Sequence, residues 1–282
     1  MIRTALRYHI PDDLDEATAL LHTHQERTAV LGGGTVLVPS LTRGERDLDH
    51  VIDLRRLGLG EVSSTADGVR IGASASYAQL LAAAPFTGAT RLLQLAAEGI
   101  TGGPQIRCQG TICGSAAYAN PSSDVPAVLV ALEAVIHLRG PEKSRTVPAE
   151  AFFLDAFTVD VRRGELLTGV AVPPRSACVG YYKLKLAEGS WPIATASAVL
   201  PDTGDSLIGA TVTLGAVSAR PLRLDLDSLL DGHGRLPTAG DIDDWVSGQL
   251  GEPWDDELAP GDYRRMVAGV VLRRALQRAQ GN

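Results

Sequence analysis

Apolar residues first recur with helical spacing at Leu14, Ala17, Leu20 and Leu21, a stripe that predicts a helix over Asp13–His22 with Asp12 or Asp13 as its cap. Thr28-Ala-Val-Leu reads as a short buried strand that runs directly into Gly32-Gly33-Gly34-Thr35, and Val51–Leu54 reads as another. The runs Glu61–Thr65 and Val69–Ala73 flank Ala66-Asp67-Gly68, a hairpin pattern in which glycine supplies the positive φ. Helical spacing returns at Tyr77–Ala84 and Arg91–Ala97. Gly99–Asp124 is turn-rich, and Pro126–Ala134 predicts a helix with proline in its first turn. Val135–Arg139 and Leu166–Val172 have strand character.

Pro173-Pro174 interrupts sheet and helix alike, and marks the expected domain boundary. Beyond it, Gly180–Leu186, Ile193–Leu200 and Leu207–Gly215 are rich in strand formers, with a hairpin turn expected at Asp202-Thr203-Gly204-Asp205. The chain ends in helical spacing: Tyr263, Met266, Val267 and Val270 form the apolar stripe, Asp262 the cap, and Arg264, Arg265, Arg273 and Arg274 a mostly outward basic face. Strands and helices mix without strict alternation, so the expected class is α+β.

Composition narrows the function. The 282 residues are 45% hydrophobic and 21% charged, ordinary for a globular protein that builds its core without disulfides. Thirty-three acidic against 26 basic residues leave a net charge of −7, which argues against general nucleic-acid or anionic-membrane binding. The longest apolar-rich segment, Val125–Leu138, contains Glu133 and His137 and is too short for a membrane span. MIRTALRYHIPDD has no signal-peptide core, and Cys108, Cys113 and Cys178 make no CxxC pair, so a reducing cytoplasm is expected. Neither a zinc site nor a protein-ligated iron–sulfur cluster is expected on this chain. The six histidines show no metal-ligand spacing; His22 and His24 point to different sides of a helix. Asp12-Asp13, Asp243-Asp244 and Asp255-Asp256 read as caps and solvated turns. No acid–base residue stands out as catalytic.

Two glycine-bearing loops carry the candidate chemistry. In Leu31-Gly32-Gly33-Gly34-Thr35, glycines let N–H groups converge on an anion such as a diphosphate, although a plain tight turn has the same composition. The spacing fits neither GxGxxG nor GxxxxGK[ST]. The second loop, Gln105-Ile106-Arg107-Cys108-Gln109-Gly110-Thr111-Ile112-Cys113-Gly114-Ser115, leads into Asn120-Pro121-Ser122-Ser123-Asp124. There Asp124 is either a helix cap or an acceptor for ligand hydroxyls. Cys113 is either a small buried residue or a thiol activated by the loop. Lys183 reads as a strand lysine, or as a cation tuning a bound ring.

LGGGTVLVP together with QIRCQGTICGSAAYANPSSDVPAVLVALEA resembles the FAD-binding medium subunit of the molybdenum hydroxylases, the family of the carbon monoxide dehydrogenase flavoprotein and the xanthine dehydrogenase flavin domain. The resemblance continues through LLTGVAVPP, GYYKLKLAEGSWPIATASAVL, GATVTLGAVSARPLR and DYRRMVAGVVLRRAL. It implies a two-subdomain FAD-binding fold of the vanillyl-alcohol-oxidase type over residues 1–174, divided near residue 55. A small C-terminal domain with a three-stranded sheet and helices would follow over 175–282. It implies that Ala29–Val36, chiefly Leu31, Gly32, Gly33, Gly34, Thr35 and Val36, wrap the FAD diphosphate, and that Thr111, Ile112, Gly114 and Ser115 close from the other side. Asp124 would contact the nucleotide, and Thr101, Leu167 and Lys183 would stand beside the flavin. Gly34, Cys108, and Ser115 in place of asparagine depart from the family pattern.

By the same resemblance the chain is an electron-transfer subunit of a hetero-oligomer. A large subunit would carry the molybdenum cofactor and a small one the [2Fe-2S] clusters, with the electron acceptor left open. A stand-alone FAD-dependent oxidoreductase acting on a small molecule, and a scaffold that has lost its flavin, are the alternatives.

Overall fold

The computed structural model describes residues 5–24, 27–202 and 206–281. In chain order the first part runs β1 (Arg7–His9), α1 (Leu14–His24), β2 (Thr28–Leu31), α2 (Leu37–Arg43) and β3 (His50–Asp53). The middle part runs β4 (Val62–Thr65), β5 (Gly68–Gly72), α3 (Tyr77–Ala82), α4 (Arg91–Glu98), α5 (Gly103–Gln109), α6 (Ile112–Tyr118), α7 (Asp124–Ala131), β6 (Val135–Arg139), β7 (Ser144–Pro148), α8 (Ala149–Phe152), β8 (Phe153–Asp155), β9 (Thr158–Val159) and β10 (Leu166–Val172). The last part runs β11 (Ala177–Lys185), β12 (Pro192–Pro201), β13 (Thr211–Gly215), β14 (Leu222–Asp225), α9 (Ala239–Gln249) and α10 (Gly261–Ala279).

Three larger sheets and the two-stranded pair β8-β9 order these elements among the described residues. β1-β3-β2 is parallel throughout, and Leu31 at the end of β2 sits opposite Asp53. β4-β5-β10-β6-β7 is antiparallel, with the expected hairpin at Gly68, whose φ is +113°. β11-β12-β13-β14 is antiparallel. The three C-terminal strands expected from sequence are present, and β14 adds a fourth along β13, with Leu224 opposite Val212. The α+β class therefore holds, with a wider C-terminal sheet than expected. No helix among the described residues is long and apolar enough to cross a membrane.

β12 is buried on both faces, which explains its run of small residues. Ala194, Ala196, Ala198 and Leu200 pack with Val271, Leu272, Ala275 and Leu276 of α10, whereas alternate Val199 joins the core of the middle part. α10 differs from its expected orientation. Met266 is 65% exposed, whereas Arg264, expected outward, is fully buried. Arg264 donates to the carbonyls of Ile193 at 2.6 Å and Ala216 at 2.7 Å and pairs with Asp256. Pro260, not Asp262, precedes the first turn. The turn-rich segment Gly99–Asp124 contains two helices, α5 and α6. Positions 203–205 of the expected hairpin turn lie outside the described residues.

Candidate functional site

β2 delivers the first glycine loop to the edge of a cavity of about 610 Å³, and α6 delivers the second loop to the same cavity. Gly34 has φ +70°, a left-handed conformation that glycine adopts without strain, and its carbonyl accepts from Val38 N–H to start α2. A Cβ on Gly33 would stand 1.8 Å from the Gln109 carbonyl oxygen. The two backbones are therefore in contact, and only glycine permits it. A Cβ on Gly32 would stand 3.3 Å from Thr111 Oγ1.

The second loop is fixed from behind. Tyr77 N–H donates to the Gly110 carbonyl at 3.0 Å, and its hydroxyl lies 2.5 Å from Ser115 Oγ. Thr111 caps α6 by accepting from Gly114 N–H at 3.0 Å. These bonds hold the loop before any ligand arrives, so little ordering is left for binding to supply. Buried Cys113 faces the Ile71 and Gly72 carbonyls, and burial pushes its thiol up to about 12. The environment thus raises this thiol's pKa, the opposite of activation.

Of the residues singled out from sequence, Gly32 to Val36, Thr111, Gly114, Ser115 and Leu167 line the cavity together. Leu31 and Ile112 flank the two loops without lining it. Thr101 lies in the bend between α4 and α5. Asp124 and Lys183 meet each other: Lys183 Nζ lies 2.9 Å from the Asp124 carboxylate and 2.9 Å from the Gly99 carbonyl, and Tyr181 donates its hydroxyl to Asp124. Burial pushes the Asp124 carboxyl up, and Lys183 and Tyr181 oppose that push. Burial pushes the Tyr77 hydroxyl far up, and its bond to Ser115 opposes that push.

The cavity has further walls that sequence reasoning missed. Arg43, Glu45 and Arg46 stand beside it, and Tyr118 and Phe157 form an aromatic wall with ring centroids 5.2 Å apart. Phe157 is a non-glycine residue at φ +56°, donating its N–H to the Ala119 carbonyl, itself at φ +46°. No local sequence pattern announces these two left-handed residues. Nor does spacing announce that His9, His24 and His50 gather in space, as they do beside β1 and β3 of the first sheet.

The two glycine loops meet backbone to backbone at the edge of the cavity, and backbone N–H groups of such loops are chemically suited to hold a diphosphate. The adjoining cavity, with its aromatic wall, has room for an aromatic ring system. The comparisons agree with this chemistry. Residues 4–175 match the family described as the FAD binding domain in molybdopterin dehydrogenase. The chain is 33% identical over 284 residues to the carbon monoxide dehydrogenase medium chain of Afipia carboxidovorans, covering 99% of this chain and 98% of that one. It is 31% identical over 270 residues to the glyceraldehyde dehydrogenase medium chain of Sulfolobus acidocaldarius, covering 94% and 95%. Among solved structures, a carbon monoxide dehydrogenase from Hydrogenophaga pseudoflava that lacks the Mo-pyranopterin moiety of the molybdenum cofactor matches with a TM-score of 0.91 at 30% identity, covering 100% of this chain and 99% of that one.

Proposed function

The chain belongs to the FAD-binding medium subunits of the molybdenum hydroxylases, and from that premise we propose that it is the electron-transfer subunit of a dehydrogenase complex. In this reading it takes electrons from [2Fe-2S] clusters on a small partner subunit and passes them through FAD to an acceptor. A large partner subunit, carrying the molybdenum cofactor, oxidises the substrate. The assembly works in the cytoplasm. FAD when bound supplies the electron exchange; this chain supplies binding, orientation and electrostatics.

The observation that carries the reading is the contact between Gly33 and Gln109, which brings two loops distant in sequence together; we take the pair as the diphosphate cradle. We assign the N–H groups of Gly32 to Thr35, flanked by Leu31 and Val36, to one side of the diphosphate. Thr111, Ile112, Gly114 and Ser115 take the other. Leu167 forms the apolar floor. Thr101 and Lys183 belong to the flavin end, and Asp124 is the counter-charge that holds Lys183 in place. Cys108 and Cys178 are exposed and Cys113 is buried, an arrangement consistent with clusters carried on another chain.

Purification with the native partners tests this. The expected product is a complex containing molybdenum and iron, with flavin bands overlying iron–sulfur absorption and one FAD for each copy of this chain. A lone FAD-loaded chain that oxidises a small molecule unaided would replace this reading with that of a stand-alone flavoenzyme.

A further inference from the structure

Three imidazoles from three separate elements meet on one face of the parallel sheet: His9 closes β1, His24 closes α1 and His50 opens β3, diagonally across from His9. His9 Nε2 lies 2.8 Å from His50 Nδ1, and the His24 and His50 rings lie 3.8 Å apart with an 11° angle between planes. One ring nitrogen from each residue falls within 4.8 Å of the other two, and all three side chains are half-buried. The nearest acid in sequence, Asp49, is held by Arg27 through bonds of 2.9 and 3.0 Å, so the cluster is one of nitrogen donors.

We propose that His9, His24 and His50 form a binding site for a borderline divalent cation of the zinc type. Imidazole nitrogens suit zinc, nickel and copper, whereas magnesium and calcium require oxygen ligands. Zinc–nitrogen bonds of about 2.0–2.1 Å set tetrahedral ligands about 3.4 Å apart. The 2.8 Å pair has to open and His24 has to turn out of the stack, both within reach of side-chain rotation at a half-buried site. Water fills the fourth position.

The site would act as a clamp. Leu41, Leu48 and Val51 form the small separate core of this first part, and a small core gains most from a metal staple. The staple joins β1 and β3 to the end of α1. β2, which pairs with β3, carries the glycine loop, so the cation stiffens the support of the cradle without touching its ligand.

The test uses the full-length, tag-free, FAD-loaded protein after treatment with a chelator. Zinc is titrated in competition with a chromophoric chelator, with magnesium as control. The expected result is one zinc per chain, a higher melting temperature with zinc, and no response to magnesium. His9→Ala, His24→Ala and His50→Ala should each weaken zinc binding at least 100-fold, and His233→Ala should leave it unchanged. Flavin absorbance and circular dichroism report that each variant is folded. As an independent reading, copper(II) bound to the unaltered chain should show nitrogen couplings in its electron paramagnetic resonance spectrum. Zinc bound no more tightly by the unaltered chain than by the His24→Ala variant, or a copper spectrum without nitrogen couplings, would overturn the proposal.

Discussion

The Lys183 ammonium lies 2.9 Å from the Asp124 carboxylate, with the two side chains only 7% and 5% exposed. The contact joins β11 of the last part to the first turn of α7 in the middle part, and the Gly99 carbonyl and Tyr181 hydroxyl satisfy what the pair leaves open. Breaking a buried pair from one side strands the other charge. Lys183→Met is expected to lower stability by about 3–5 kcal/mol in urea unfolding. Adding Asp124→Asn should recover part of that loss. A double variant at least as unstable as the sum of the singles would contradict the assigned coupling.

A second ionic group responds to pH. Arg145 donates to Glu165 at 2.8 Å and to Asp160 at 2.8 Å, and both acids are held below their ordinary values chiefly by those bonds. Their ionised forms are favoured in the folded protein. The stabilisation is therefore complete above the unfolded values near pH 4 and is lost as pH falls through the lower folded values. Arg145→Met should cost about 1 kcal/mol at pH 7, since solvent screens this part-exposed group, and the difference from the unaltered protein should shrink below about pH 4. Urea titrations at several pH values read this directly; a difference independent of pH would contradict it.

Thiol labelling reports the packing behind the second loop. Cys108 and Cys178 are exposed, whereas Cys113 is buried with its thiol pushed up to about 12. Iodoacetamide at neutral pH should modify the two exposed cysteines in the folded, FAD-loaded protein and all three in denaturant, as counted by mass spectrometry. Rapid labelling of Cys113 in the folded protein would contradict the packing.

Much of this architecture is legible in the sequence because periodicity survives locally: β2, the hairpin of β4 and β5, α3, α4, β6 and β10 all fall where alternation or helical spacing places them. The failures have physical causes. Gly102, Gly103, Gly110 and Gly114 read as turn signals, yet Gly102 at φ +92° only introduces α5, and Gly114 lies inside α6. In α10 apolar residues run most of the way round, so a stripe through Met266 looked as good as the true one through Ala268, Val271 and Ala275. An arginine gave no sign of burial, because the carbonyls that receive Arg264 come from β12 and the end of β13. The two loops were legible as candidates; their contact was not, since Gly33 and Gln109 are brought together only by the tertiary packing. His9, His24 and His50 were likewise hidden, because tertiary packing, not sequence spacing, unites them: β1 and β3 lie side by side and the end of α1 packs against them.

The measurement that bears most directly on the cradle is an equilibrium titration of flavin-free chain with FAD and with riboflavin, which lacks the diphosphate and the adenosine it carries, read together with the Gly33→Ala variant, whose change lies at the cradle. Two charge-assisted hydrogen bonds to phosphate, at about 1.4 kcal/mol each, imply about 100-fold tighter binding of FAD. Gly33→Ala, which sets a methyl against the Gln109 carbonyl, should erase most of that preference while riboflavin still binds. Equal affinity of the unaltered chain for the two ligands, or a Gly33→Ala variant that keeps its full preference for FAD, would contradict the account.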